Sequence, residues 1–316
     1  MRTPAEPTCS HDLERLLTVP APEGPADFGD FWRRTFDEAR QVPLRVERRE
    51  IASPHAEMKV WEVEFDSLDG VRIGGWITMP ADGKLVRGVV AGHGYGGRPA
   101  PDPSEPGPPA VSIYPCARGF DRSARADIPN HAAAHVRHGI GNRGTYVHRG
   151  CAADLWCAAS ALIELYPEIE GALHYTGFSF GGGIGALALP WDKRFRTAYL
   201  DVPSFGNHPL RVQLPSTGSG ESVRLYYKRH PEVLEVLAYF DAATAARHIH
   251  IPVFVSAALS DPAVPPPGQF AVYNGLAGRK ELYVRKASHC EYPEAEREWR
   301  ELWSLVPEWF ASALED

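Results

Sequence analysis

The chain has 316 residues, 44% of them hydrophobic and 23% charged, with a formal net charge of −7. That length allows a sizeable core in one or two domains. An acidic chain with no basic patch argues against nucleic acid as a partner, and no apolar run approaches a membrane span.

Residues 1–25 read as a loose, Pro-rich arm. They contain no apolar stretch or cleavage site of the secretory type, so a cytoplasmic location is expected. Phe28-Gly29-Asp30-Phe31-Trp32 opens an amphipathic helix running to about Arg40. Lys59 to Asp66 alternates as a strand, Asp69-Gly70 signals a hairpin turn, and Val71 to Met79 returns as the partner strand. Arg87 to Ala91 is a short apolar strand that leads into Gly92-His93-Gly94-Tyr95-Gly96-Gly97. The prolines of 98–109 exclude a helix there. Ala110 to Tyr114 is the next strand, and 118–150 is an irregular insertion rich in His and Arg.

Cys151 to Tyr166 has helical spacing of Leu155, Ala158, Leu162 and Leu165. Ala172 to Thr176 reads as a strand, followed by a small-residue helix that Pro190 stops. Thr197 to Leu200 is a strand, 203–222 a loop, and about 222–247 helical. A strand at Pro252 to Ala257, a helix near Gln269 to Leu276, a strand at Glu281 to Val284 and a helix from about Glu294 to Leu314 complete the chain. Strands alternating with helices predict an α/β fold with a mostly parallel sheet covered on both faces. The opening hairpin predicts an antiparallel N-terminal edge. One domain over 1–316 is expected. The five cysteines (Cys9, Cys116, Cys151, Cys157, Cys290) are odd in number and lack a C-x-x-C pair, which points away from a disulfide framework or zinc ribbon.

The chemistry centres on Gly177-Phe178-Ser179-Phe180-Gly181, a G-x-S-x-G segment between strand and helix. A turn this tight crowds its own backbone, and the glycines relieve that crowding so the Ser179 hydroxyl stands on the tip. Serine needs a base, and the base needs a carboxylate to fix its tautomer. The order Ser, Asp, His is met by Asp261, past the Pro252–Ala257 strand, and His289, past the final strand. Asp201 is a competing acid, and Asp261 before Pro262 also fits a simple turn former. His174 precedes Ser179, the wrong order. The amides of Phe180 and Tyr95 are the expected oxyanion donors. His131, His135 and His138 could place two metal ligands on one helical face. With no H-E-x-x-H and no Cys nearby, solvated or hydrogen-bonded histidines are the expected reading. The chemistry calls for no cofactor and no metal.

With these residues in view, the chain from about Leu13 to Leu314 resembles the acetyl xylan esterase and cephalosporin C deacetylase family of α/β-hydrolases. The resemblance rests on Asp27–Phe36, Gly94-Tyr95-Gly96-Gly97-Arg98, Arg118-Gly119, Gly177–Gly182, Asp201-Val202-Pro203, and Asp261 through Phe270-Ala271-Val272-Tyr273-Asn274. It implies Ser179 as nucleophile, His289 as base, Asp261 as its partner and Tyr95 as an oxyanion residue. It further implies deacetylation of small acetylated sugars and related esters, by an intracellular homo-oligomer, often a hexamer. Phe120 and Phe180 stand where the family carries Gln, and Cys290 where it carries Glu. The two Phe residues, with Tyr95, are expected to reshape the substrate pocket. An esterase or lactonase for a hydrophobic natural product, or a non-catalytic binding protein of the same fold, are the other readings.

Overall fold

A computed structural model of the chain describes residues 12–101 and 109–312. Nine strands make one sheet: β1 (Glu47–Ile51), β2 (Met58–Ser67), β3 (Val71–Pro80), β4 (Arg87–Gly92), β5 (Ala110–Pro115), β6 (Leu173–Phe178), β7 (Phe195–Asp201), β8 (Val253–Ala258) and β9 (Lys280–Arg285). Their order is β1-β2-β3-β5-β4-β6-β7-β8-β9. The pairings of β1, β2, β3 and β5 along the N-terminal edge are antiparallel, and every pairing from β5 to β9 is parallel. The expected mostly parallel sheet with an antiparallel edge is what forms. Asp69 and Gly70 close the β2–β3 hairpin with φ of 64° and 69°, the double left-handed geometry that Asp-Gly favours.

The parallel strands show why both faces must be covered. On β7, Ala198 and Leu200 join the large core while Tyr199, between them, joins a second cluster with Leu302, Val306, Trp309 and Phe310 of the C-terminal helix. On β8, Val253 and Val255 face the first cluster and Phe254 the second. Alternation along a strand thus feeds two apolar layers. The helix Val147–Leu165 begins four residues before the expected Cys151. Its alanines, Leu155, Trp156 and Leu162 are buried, with Asp154 buried among them.

Three expectations are corrected, and one strand is added. β1 was not legible as a strand. Residues 12–25 are not loose: Leu13–Leu16 is a helical turn with Leu16 buried. Carbonyls of that segment are held by remote side chains, Leu16 and Val19 by Asn274 Nδ2, Pro20 by Asn207 Nδ2 and Pro22 by Thr244 Oγ1. The 203–222 loop contains the short helix His208–Arg211, capped by the Asn207 side chain. The 118–150 insertion carries a four-residue helix, Ala132–His135, and contributes buried residues beside the site. The first part of the arm and residues 102–108 of the Pro-rich loop lie outside the described residues. Among those described, no helix is long and apolar enough to cross a membrane.

Candidate active site

β6 ends at Phe178 and the helix Phe180–Ala188 starts two residues later, leaving Ser179 alone to make the turn. Ser179 sits at φ 53° and ψ −109°, a region sparsely populated by side-chain-bearing residues. The flanking glycines are there for space. A Cβ on Gly177 would lie 2.7 Å from the Gly181 carbonyl group, and one on Gly181 would lie 2.6 Å from the Gly92 carbonyl carbon. Both obstacles are backbone, so neither can step aside. The elbow is fastened by Ser179 N–H donating to the Asp201 carbonyl (2.8 Å) and Ser204 N–H donating to the Ser179 carbonyl (3.0 Å).

Asp261 and His289 arrive on the loops after β8 and β9, at the same sheet edge. His289 Nε2 lies 3.1 Å from Ser179 Oγ, and His289 Nδ1 lies 2.7 Å from Asp261 Oδ2. The residues singled out by chain order therefore meet. Asp261 also does what the rival reading required of it, since its Oδ1 accepts the N–H groups of Ala263 (2.9 Å) and Val264 (2.8 Å). One carboxylate oxygen shapes the turn while the other faces the imidazole. Ser288 N–H donates to the Ser260 carbonyl at 2.9 Å, latching the two loops together. The Asp261 side chain is fully buried and that of His289 is 19% exposed. Such an arrangement can withdraw a proton from a hydroxyl and stabilise the resulting imidazolium.

The competing groups go elsewhere. Asp201 is buried and receives a hydrogen bond from Arg285 Nη2 at 3.0 Å. Burial pushes its carboxyl upward and the Arg285 guanidinium opposes that shift. His174 is buried in β6 with its ring edge-on to Phe310; burial holds it neutral down to about 3.

Behind the nucleophile lies a buried layer of aromatic and histidine rings. Tyr95 stacks on Phe180 with centroids 4.2 Å apart, and Phe120 packs against Tyr95, His93 and His135. Phe120 and Phe180 are both buried. His135, one of the three histidines that raised the metal question, uses Nε2 on the Arg118 carbonyl (2.9 Å), and its Nδ1 lies 3.3 Å from Tyr95 Oη. His148 Nε2 lies 3.1 Å from the same oxygen. Only one proton assignment satisfies all three contacts: His148 Nε2–H donates to Tyr95, Tyr95 O–H to His135 Nδ1, and His135 Nε2–H to Arg118. Burial keeps both rings neutral, His135 down to about 4 and His148 well below its ordinary value. Among the described residues no group of three or more His, Cys, Asp or Glu side chains is arranged to hold a metal ion.

Arg118 itself is buried and forms a two-point pair with Asp154, Nε to Oδ2 at 3.0 Å and Nη2 to Oδ1 at 2.8 Å. It thereby ties the insertion to the Val147–Leu165 helix. Sequence reasoning singled out Tyr95 for its amide but passed over its hydroxyl, and passed over His148 altogether. A cleft of about 440 Å³ opens beside the elbow, lined by residues that include His93, Phe178, Asp201, Trp299 and Trp303. Phe178 lines this cleft and also packs its ring on His289, with centroids 5.1 Å apart.

A family model for acetyl xylan esterase (AXE1) matches residues 12–303. The curated acetyl esterase Axe7A of Xylanibacter ruminicola is 22% identical over 292 residues, covering 85% of this chain; the chain spans 64% of that relative's length. An acetyl xylan esterase from Paenibacillus sp. R4 superposes with a TM-score of 0.76 at 21% identity, covering 93% of this chain and 99% of that one. Acetyl xylan esterase 1 from Thermoanaerobacterium sp. JW/SL YS485 gives 0.76 at 18% identity, with coverage of 94% and 99%. The structural likenesses establish the α/β-hydrolase fold.

Proposed function

This chain belongs to the acetyl xylan esterase family, and on that premise we propose that it is a serine carboxylic-ester hydrolase that removes acetyl groups from small acetylated sugars or related esters. The observation that carries the reading is the hydrogen-bonded series Ser179–His289–Asp261 at the elbow. His289 Nε2 takes the Ser179 proton as Oγ attacks the ester carbonyl, while Asp261 holds the Nδ1–H. The Phe180 N–H opens a helix and has no intrahelical acceptor, so it is suited, with the Tyr95 amide, to receive the oxyanion. The tetrahedral intermediate collapses to an acyl-enzyme, and the alcohol leaves with the proton from His289. Water, deprotonated by the same nitrogen, then releases acetate. No step needs a cofactor or metal.

The test is hydrolysis of p-nitrophenyl esters from acetate to octanoate by the native protein and Ser179→Ala. The reading expects activity highest on acetate and lower in the variant by about a thousandfold or more; an unchanged Ser179→Ala refutes it. A second reading, an esterase or lactonase for a hydrophobic natural product, draws on Phe120 and Phe180 standing together against Tyr95. It expects longer acyl chains to be preferred and Phe180→Gln to shift the preference towards acetate. A homo-oligomer, a hexamer by family resemblance, is the proposed assembly. Light scattering that returns a monomer would reject it.

A further inference from the structure

We propose that Gln269 is a positioning residue for the Ser179–His289–Asp261 series, an inference that rests on the hydrolase reading above. Gln269 lies in the Pro266–Gly275 helix and has no exposed surface. Its Nε2 donates to Asp261 Oδ2 at 3.0 Å, the same oxygen that faces His289 Nδ1. That nitrogen also donates to the Val264 carbonyl at 2.7 Å, and Oε1 accepts the Ala258 N–H at 2.9 Å. The amide orientation follows from chemistry, since only oxygen can face an N–H and only nitrogen can face two oxygens. One side chain therefore joins the last residue of β8, the turn beyond it and the carboxylate that orients the base.

The two backbone amides hold Asp261 by Oδ1 alone, which leaves the carboxylate free to pivot about that oxygen. The bond from Gln269 to Oδ2 removes the pivot and sets where Oδ2 meets the imidazole. The bonds to Ala258 and Val264 already satisfy the turn, so a purely structural Gln269 needs no third bond. The groups that titrate and face it are Asp261 and, through it, His289.

The experiment compares the native protein, Ser179→Ala, Gln269→Met and Gln269→Glu. It follows p-nitrophenyl acetate turnover and fluorophosphonate labelling of Ser179 from about pH 5 to about pH 9, with circular dichroism confirming the fold. Gln269→Met keeps the length and removes the donor. It should lower kcat by roughly ten- to a hundredfold with KM within about twofold, as expected for misplaced groups. Gln269→Glu is the internal control. Ionised, it sets a second carboxylate against Asp261; protonated, its O–H replaces the lost N–H. Its rate relative to the native protein should therefore climb as pH falls. A folded Gln269→Met with native kcat, or a Gln269→Glu ratio that is flat with pH, overturns the inference while leaving the hydrolase reading intact. If Gln269→Met does not fold, the Gln269→Glu ratio decides. If the native protein labels at Ser179 but hydrolyses no ester, the ester reading fails and the labelling rates of the Gln269 variants still judge the inference. A native protein that neither hydrolyses nor labels overturns both.

Discussion

Replacing Arg118 by Met should weaken the fold far more than a surface charge change does. Arg118 and Asp154 are both buried, and their two-point contact is supplemented by Ser67 Oγ on Asp154 Oδ1 (2.6 Å) and Arg118 Nη2 on the Leu68 carbonyl (3.2 Å). Arg118→Met strands the Asp154 carboxylate in the interior, and breaking a buried pair from one side costs about 3–5 kcal/mol. An unfolding entropy of about 2.1 cal/mol/K per residue over a chain of this length converts that loss to a Tm lower by roughly 4–8 °C. The companion variant Arg118→Met/Asp154→Leu removes the orphaned charge as well and should recover most of the loss. Differential scanning calorimetry at neutral pH on the native protein, both single variants and the double variant closes the cycle. A double variant as unstable as the two losses added together would refute the reasoning, because the damage would then come from packing and not from the stranded charge.

Other consequences follow from the same interior. His93 and His135 are held neutral by burial down to about 4, and His174 and His208 down to about 3. The native state thus binds fewer protons than the unfolded chain, whose histidines titrate near 6.5. Stability is full above about pH 6.5 and falls as pH drops towards 4, each histidine adding up to about 1.4 kcal/mol per pH unit. His174→Leu also removes two buried ring nitrogens without partners. It should raise Tm at pH 5 by more than at pH 8, and an equal change at both would contradict the assignment. Tyr95→Phe leaves His135 Nδ1 and His148 Nε2 unsatisfied and should cost about 1–3 kcal/mol in denaturant unfolding, with the Tyr95 amide still in place. Gly181→Ala should abolish Ser179 labelling, since its Cβ would meet the Gly92 backbone; native-rate labelling would show that the elbow tolerates the added carbon.

The parts legible from the chain were those where local pattern and tertiary environment agree. Strands β2 to β9 emerge within a residue or two because they are apolar or alternate. β1 does not, since Glu47-Arg48-Arg49-Glu50 carries no apolar rhythm and becomes a strand only by pairing with β2. The arm misled because its anchors are the side-chain amides of Asn207 and Asn274, 187 and 258 residues away in sequence from Pro20 and Leu16. Ser179, Asp261 and His289 could be singled out because each follows the end of a strand. Gln269 was hidden in the buried first part of the Pro266–Gly275 helix, among Pro266, Pro267, Gly268, Phe270, Ala271 and Val272. The available signal was a polar amide eight positions after the acid, flanked on both sides by apolar and small residues. Phe120 and Phe180 were legible as departures from a family pattern, but their packing on Tyr95 depends on a loop brought in from elsewhere.

The outer strand β1 bears on how copies of this chain can meet. Its first four residues, Glu47-Arg48-Arg49-Glu50, are all charged and exposed, and Arg49 reaches back to Glu62 on β2. A strand from another molecule adding to that margin would have to align its own charges against this series or strip water from it. The margin therefore repels indiscriminate sheet growth. An assembly of this protein is better sought through helices and loops than through the N-terminal border of its sheet.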